Sequence, residues 1–296
     1  MHSCFAFCIL FVTLKTWKLI CRILFMEYTI NVKGKLLSFD KPAVMGILNV
    51  TPDSFYAPSR IDTGIVVERA KAMLDAGAAI LDVGACSTRP GAEYASEAAE
   101  LERLHEVLDV LDRVFPQAVV SLDTFRGRVV RECVANHNVA IINDVSGFEW
   151  DDDMFSAVVD CRLPYILTHS AECQAGEPLL PQVIKWLAGK VWKLHQHGVA
   201  DVIVDPGFGF GKTLGQNYEL MAGLGEFAIL DAPLLVGISR KSMITKLMDI
   251  PSAEALPGTV ALNMYALTKG ADILRVHDVA EAVQVAEIWQ ALRNKR

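Results

Sequence analysis

The sequence predicts a single (β/α)8 barrel of the TIM type, on three observations. From residue 43 onward, eight short apolar runs rich in β-branched residues alternate with longer segments of helical period. The alternation fills about 250 residues, the usual extent of that fold. Each run is apolar in its body and ends in residues able to bind or react, and a barrel brings all such ends to one mouth. A doubly wound open sheet shares the alternation but would spread those ends along a line.

Along the chain, the first 25 residues stand apart. "CFAFCILFV" offers nine apolar residues before Lys15, Lys18 and Arg22 interrupt the pattern, too few to span a membrane. The charges follow the apolar run, whereas a secretory signal carries them ahead of it and ends at small residues. Residues 1–25 are therefore read as a leader-like segment from a mis-extended reading frame, and residues 26–296, opening at Met26, as the barrel.

The first strand is "AVMGILNV" (43–50), with Asn49 near its end, and the helical "GIVVERAKAMLDAG" follows. "AAILDVGA" (78–85) presents Asp82; after it, Leu101, Leu104, Leu108 and Leu111 recur on one helical face. "AVVSLDTF" (118–125) ends in Asp123 and Thr124, "AIINDVS" (140–146) in Asn143 and Asp144, and "PYILTHS" (164–170) in His169. "DVIVDPGFG" (201–209) carries Asp205, "LLVGISR" (234–240) leads through Arg240 to Lys241, and "ADILRVHD" (271–278) carries Arg275 and His277. Positions two apart on a strand share a face, so Arg275 and His277 point the same way. Unpaired charge at a barrel mouth is rarely structural, which marks that pair as functional.

Composition narrows the class. With 52% hydrophobic and 21% charged residues the chain folds into a globule, and a formal net charge of −7 argues against general nucleic-acid binding. Its seven cysteines form no CxxC pair, which fits reduced thiols in a cytoplasmic protein. "DPGFGFGKT" (205–213) comes close to a nucleotide phosphate loop, but the pattern needs a glycine where Pro206 stands, and proline has no N–H to give. Asp205 is instead a strand tip, and "GFGFGKT" reads as a mobile loop in which Gly207, Gly209 and Gly211 supply turn freedom. Asp82 and Asp144 are as readily caps or turn formers as ligands. His195 and His197, two apart on a helix, do not share a face and form no metal pair, and His105 and His137 read as solvated.

Gathered at one mouth, the Asp and Asn tips suit a flat heterocycle with N–H and C=O edges, because a carboxylate accepts two bonds in one plane and an amide both donates and accepts. Lys241, Arg275 and His277, with an Asn to help hold magnesium, suit a di- or triphosphate. Residue types alone thus point to a heterocycle bearing a phosphorylated arm.

The strings "MGILNVTPDSF", "STRPGA", "SLDT", "IINDVSG", "DPGFGFGKT", "GISRKSM" and "ADILRVHDV" occur in the order and places of the motifs of dihydropteroate synthases, which the chain resembles from residue 26 to about 290. That family joins a dihydropterin diphosphate to p-aminobenzoate in folate synthesis. The resemblance implies the barrel and a homodimer with small-molecule substrates, working without membrane or nucleic acid. It implies that Asp123, Asn143, Asp205 and Lys241 bind the pterin, that Asn49 holds Mg2+ on the diphosphate, and that Arg275 and His277 grip the diphosphate. Lys241, Arg275 and His277 then carry the catalytic charge. Thr88, Arg89, Pro90, Phe210, Lys241 and Ser242 would shape the p-aminobenzoate pocket, with Phe55 closing over it. The chain departs from the pattern in loop 1, where Tyr56, Ala57, Pro58 and Ser59 follow "TPDSF" and Ala57 replaces an aspartate, leaving Asp53 as that loop's carboxylate. Cys86 precedes "STRP" where Glu or Tyr is usual, and "THS" replaces a Met-His pair. Two alternatives share the barrel: a pterin-binding corrinoid methyltransferase, which has no use for a diphosphate grip, and a non-catalytic pterin-binding paralogue.

Overall fold

The structure, a computed structural model, describes residues 28–50, 56–57, 60–86, 94–174 and 176–295. The strands of the central sheet are β3 (Ala43–Asn49), β6 (Ile80–Gly84), β7 (Val120–Asp123), β8 (Val139–Asp144), β9 (Tyr165–Thr168), β10 (Val202–Asp205), β11 (Leu235–Val236) and β12 (Ile273–Val276). They run in parallel in the order β10-β9-β8-β7-β6-β3-β12-β11. A bridge between Val204 and Leu234 joins the two ends, supported by Val204 N donating to Pro233 O at 2.9 Å. The sheet therefore closes into a barrel, and the open-sheet alternative falls away.

Helices α1 (Thr63–Asp75), α2 (Glu97–Val114), α3 (Gly127–Asn136), α4 (Met154–Cys161), α5 (Leu179–Gln196), α6 (Leu214–Ala222), α7 (Ser242–Met248), α8 (Leu256–Thr268) and α9 (Val279–Arg293) alternate with these strands. Their starts are written locally: Asp62 accepts from Gly64 N and Ile65 N, and Ser96 from Ala99 N. On α2 the expected stripe is buried at Leu104, Leu108 and Leu111, with Leu101 packed beside it. The strands read as almost unbroken apolar runs because one face meets the helices and the other fills the barrel.

The sequence reading begins its strands at residue 43 and so omits a hairpin, β1 (Thr29–Val32) paired antiparallel with β2 (Lys35–Ser38). Lys33 and Gly34 turn it with φ of 51° and 83°, as a two-residue hairpin turn requires. Ile30, Val32 and Phe39 are buried against Met45, Ile80, Ile141, Ile166, Ile203, Leu235 and Ile273, residues from the N-terminal ends of the barrel strands. The hairpin is thus a plug at the end opposite the reactive tips. A short antiparallel pair, β4 (Tyr56–Ala57) and β5 (Arg60–Ile61), lies between β3 and α1.

Several predicted strands are longer than the ladders. The 201–209 run pairs only over β10 and the 234–240 run only over β11 and the Leu234 bridge, while Phe208 and Ile238, beyond the ladders, are fully buried in the core that packs strands against helices. Apolar character reports burial, which loop residues here share with strands.

Candidate active site

Four strand ends meet in one polar network. Asp82 on β6 is fully buried and accepts from Arg275 Nε at 2.6 Å and from Asn143 Nδ2 at 3.0 Å. Arg275, on β12, also donates through Nη2 to Asp123 Oδ2 on β7 at 2.5 Å. Burial disfavours the Arg275 charge, yet Asp82 and Asp123 outweigh it and hold the guanidinium more firmly protonated than usual. Burial pushes the Asp123 carboxyl up to about 7; Arg275 opposes the rise and the neighbouring Asp82 adds to it.

Beside this network, Asp205 ends β10 with Oδ1 accepting Gly207 N at 2.7 Å. Burial raises its carboxyl above the ordinary value and Lys241 pulls it back. Lys241 caps the start of α7 and donates from Nζ to Phe208 O at 2.5 Å, with Nζ 4.9 Å from the centre of the Phe210 ring. Burial lowers Lys241 to about 8, against the pull of Asp205. His277, just past β12, is exposed and bonds Ser239 Oγ through N at 3.2 Å and Nδ1 at 3.1 Å. Ser242 is exposed at the first position of α7, and Asn49 is half-buried at the end of β3, in register with Gly84.

The other tips have structural duties. Asp144 accepts from Ser146 N, Phe148 N and Tyr165 Oη, each at 2.7 Å, and so forms the turn after β8. Asp82 is neither cap nor turn former: it is the buried counter-charge of Arg275. Arg240 is committed to Asp278 by two bonds of 2.8 and 2.7 Å and to the carbonyls of Ser252 and Ala253. His105 and His137 do not stand in solvent: His137 is 8% exposed and its Nε2 lies 2.7 Å from His105 Nδ1. Their helices pack side by side, which a one-dimensional pattern does not reveal. His197 ends α5 with Nδ1 at 2.8 Å from Lys193 O.

The 206–213 loop is not slack as expected. Gly207, Gly209 and Gly211 take φ of 73°, 84° and 60°, and Lys212 binds the loop to the end of β9 through Gly207 O, Phe210 O and His169. Sequence reasoning passed over Lys212, although "GKT" had drawn attention to it. It also passed over Glu100 at the first turn of α2, fully buried and accepting from Thr124 Oγ1 at 2.7 Å and from Arg126. A carboxylate inside an otherwise apolar stripe was the available signal. Asp53, Phe55, Thr88, Arg89 and Pro90, like residues 1–25, lie outside the described residues.

Among the described residues no three His, Cys, Asp or Glu side chains gather to hold a metal. Asn49 supplies a single amide oxygen. That donor set fits a magnesium ion taking most of its ligands from phosphate and water.

Residues 45–277 match the sequence profile of the pterin binding enzyme family. The chain is 38% identical over 269 residues to the dihydropteroate synthase of Escherichia coli strain K12, covering 88% of this chain and 94% of that one. It is 38% identical over 272 residues to that of Bacillus subtilis strain 168, covering 90% and 94%. Among solved structures, the Yersinia pestis dihydropteroate synthase with a sulfonamide drug superposes with a TM-score of 0.83 at 35% identity, over 92% of this chain and all 100% of that one. The Xanthomonas albilineans synthase with 4-aminobenzoic acid gives 0.83 at 34% identity, over 90% and 99%.

Proposed function

The chain belongs to the pterin-binding enzyme family, and from that premise we infer that it acts as a dihydropteroate synthase. It condenses 6-hydroxymethyl-7,8-dihydropterin diphosphate with p-aminobenzoate to give 7,8-dihydropteroate and diphosphate. The observation that carries this is one mouth uniting heterocycle-reading tips, Asp123, Asn143 and Asp205, with the cations Lys241 and Arg275, in a chain that shares 38% identity with such synthases over most of its length.

The ionised Asp123 and Asp205 accept the pterin's N–H groups, while Asn143, held by Asp82, and Lys241 complete the edge. Arg275 spends two donors on Asp82 and Asp123, and its five-donor fork retains capacity for the diphosphate, which His277 meets from the exposed rim. Asn49 would hold the magnesium ion, which when bound would supply charge neutralisation for the leaving diphosphate. The C–O bond breaks with its electron pair leaving on the diphosphate, and the pterin ring stabilises the cationic carbon. The neutral aniline nitrogen attacks that carbon and afterwards loses a proton to solvent, so the site needs no strong base. Phe210, Lys241 and Ser242 border the p-aminobenzoate, with Phe55, Thr88, Arg89 and Pro90 assigned by resemblance alone.

No helix of the described residues is long and apolar enough to cross a membrane. Leu247, Met248, Ile288 and Leu292 on the last helices are exposed, apolar area suited to a second copy in a homodimer, which light scattering tests. Free Cys86, Cys133, Cys161 and Cys173 accord with a cytoplasmic setting. The activity is tested by a coupled assay of diphosphate release: release must require both the pterin diphosphate and p-aminobenzoate, and release indifferent to p-aminobenzoate rejects the reading.

A further inference from the structure

Lys212 has no part in the chemistry above, yet it is half-buried at the root of the mouth. Its Nζ donates to Gly207 O at 2.9 Å, Phe210 O at 3.0 Å and His169 O at 3.1 Å, and lies 3.1 Å from His169 Nδ1. These acceptors come from two elements, the end of β9 and the loop after β10. We propose that Lys212 is a positioning residue that clamps the 206–213 loop to the end of β9, and thereby sets Phe210 and Lys241 for p-aminobenzoate without touching substrate. This rests on the reading that Phe210 and Lys241 border that substrate.

The bonding has a fixed direction. Burial, with Lys212 close by, lowers His169 to about 3, while burial lowers Lys212 only to about 8 because Asp205 favours its charge. At neutral pH a cation therefore faces a neutral ring, and with three hydrogens for four acceptors the ammonium shares one of them between Nδ1 and a carbonyl. A lysine ammonium turns freely to meet convergent carbonyls, where an arginine's planar fork would not. Loop and strand end are also in backbone contact: a Cβ on Gly207 would lie 1.9 Å from His169 O.

The clamp reaches the site through the same loop. Phe208 O receives Lys241 Nζ at 2.5 Å, the Phe210 ring lies 4.9 Å from that nitrogen, and a Cβ on Gly209 would touch Lys241 Cδ at 3.4 Å. The path of the loop thus decides where Lys241 rests. Asp123 and Asn143 sit on ladder residues of the barrel away from the loop. Asp205 takes a bond from Gly207 N and Lys241 serves both substrates, so the loop bears on the p-aminobenzoate side more than on the pterin. Slackening the clamp should accordingly disturb the p-aminobenzoate side first.

The test compares Lys212→Met and Lys212→Arg with the parent enzyme, measuring KM for p-aminobenzoate, Kd for the pterin diphosphate, and amide hydrogen exchange. Loss of a charge-assisted cluster in Lys212→Met should raise the p-aminobenzoate KM about tenfold or more. Its pterin Kd should rise by a clearly smaller factor than that KM, because Asp123 and Asn143 hold the pterin apart from the loop. Exchange should quicken across residues 207–211 and stay unchanged in β7 and β8, and Lys212→Arg should recover part of the loss. An unchanged KM, or a proportional rise in KM and pterin Kd, overturns the proposal. If Lys212→Met does not fold, His169→Leu, which removes the ring acceptor along with an edge contact to Trp186 but keeps the His169 carbonyl, must show the same split in smaller measure. A parent enzyme indifferent to p-aminobenzoate would reject the functional reading, and the exchange pattern would still decide whether Lys212 clamps the loop.

Discussion

At the scale of single residues, the charge at the mouth is organised by burial. Asp82 is wholly buried and Arg275 nearly so, and removing one partner strands the other in a poorly solvated place. Asp82→Ala is expected to cost about 3–5 kcal/mol of stability in urea unfolding. A loss below about 1 kcal/mol would place Arg275 in water rather than on Asp82. The pH dependence follows from two neighbours. Asp123 must be ionised to accept from the pterin and titrates at about 7, whereas Lys241 must be protonated and titrates at about 8. Activity at low substrate therefore rises as pH climbs through about 7 and falls beyond about 8, a narrow bell in kcat/KM. Lys241→Arg should remove the alkaline limb, since guanidinium keeps its proton. A flat profile from pH 6 to 9 in the parent would show that neither group governs binding. At pH 6 pterin binding should also release protons from Asp123, seen by calorimetry in buffers of differing ionisation enthalpy.

At the scale of elements, glycine separates strand from loop. Gly207 and Gly198 share a left-handed backbone, with φ of 73° and 85°, but a Cβ would strike His169 O at Gly207 and meet nothing within 4 Å at Gly198. Gly198→Ala should therefore cost about 1–2 kcal/mol, the strain of φ alone. Gly207→Ala should cost more and damage activity, because the backbone of the 206–213 loop must leave the end of β9. Equal losses in thermal unfolding would mean that the close approach is relieved cheaply. Part of this scale was legible in advance, since the helix stripe at Leu104, Leu108 and Leu111 is a matter of period. The two-residue ladder of β11 was not, because Ile238 is as buried as Val236 and sequence does not say which buried residue has a paired backbone.

At the scale of the whole molecule, one end of the barrel reacts and the other is stoppered. Ile30 from the hairpin is 1% exposed within the cluster that fills the N-terminal ends of the strands. Ile30→Ala should cost about 2–5 kcal/mol by opening a cavity there, with kcat and KM preserved at temperatures where the protein stays folded. Thr29→Ala, on the solvent side of the same strand, should stay within about 0.5 kcal/mol. If the two variants melt alike, the hairpin is an ornament rather than a plug.

The sequence by itself determined the alternation of strand and helix, the polar strand ends and the motifs that place this chain among its relatives, because these rest on local period and residue type. Only the tertiary structure decided how the charges are shared. Arg275 meets Asp82 across 193 positions and Asp123 across 152, Lys212 meets His169 across 43, and the hairpin plugs a barrel whose strands come later in the chain. Pairings between distant segments are fixed by closure of the sheet and by the cost of leaving buried charge unpaired, and neither has a signature in the order of nearby residues.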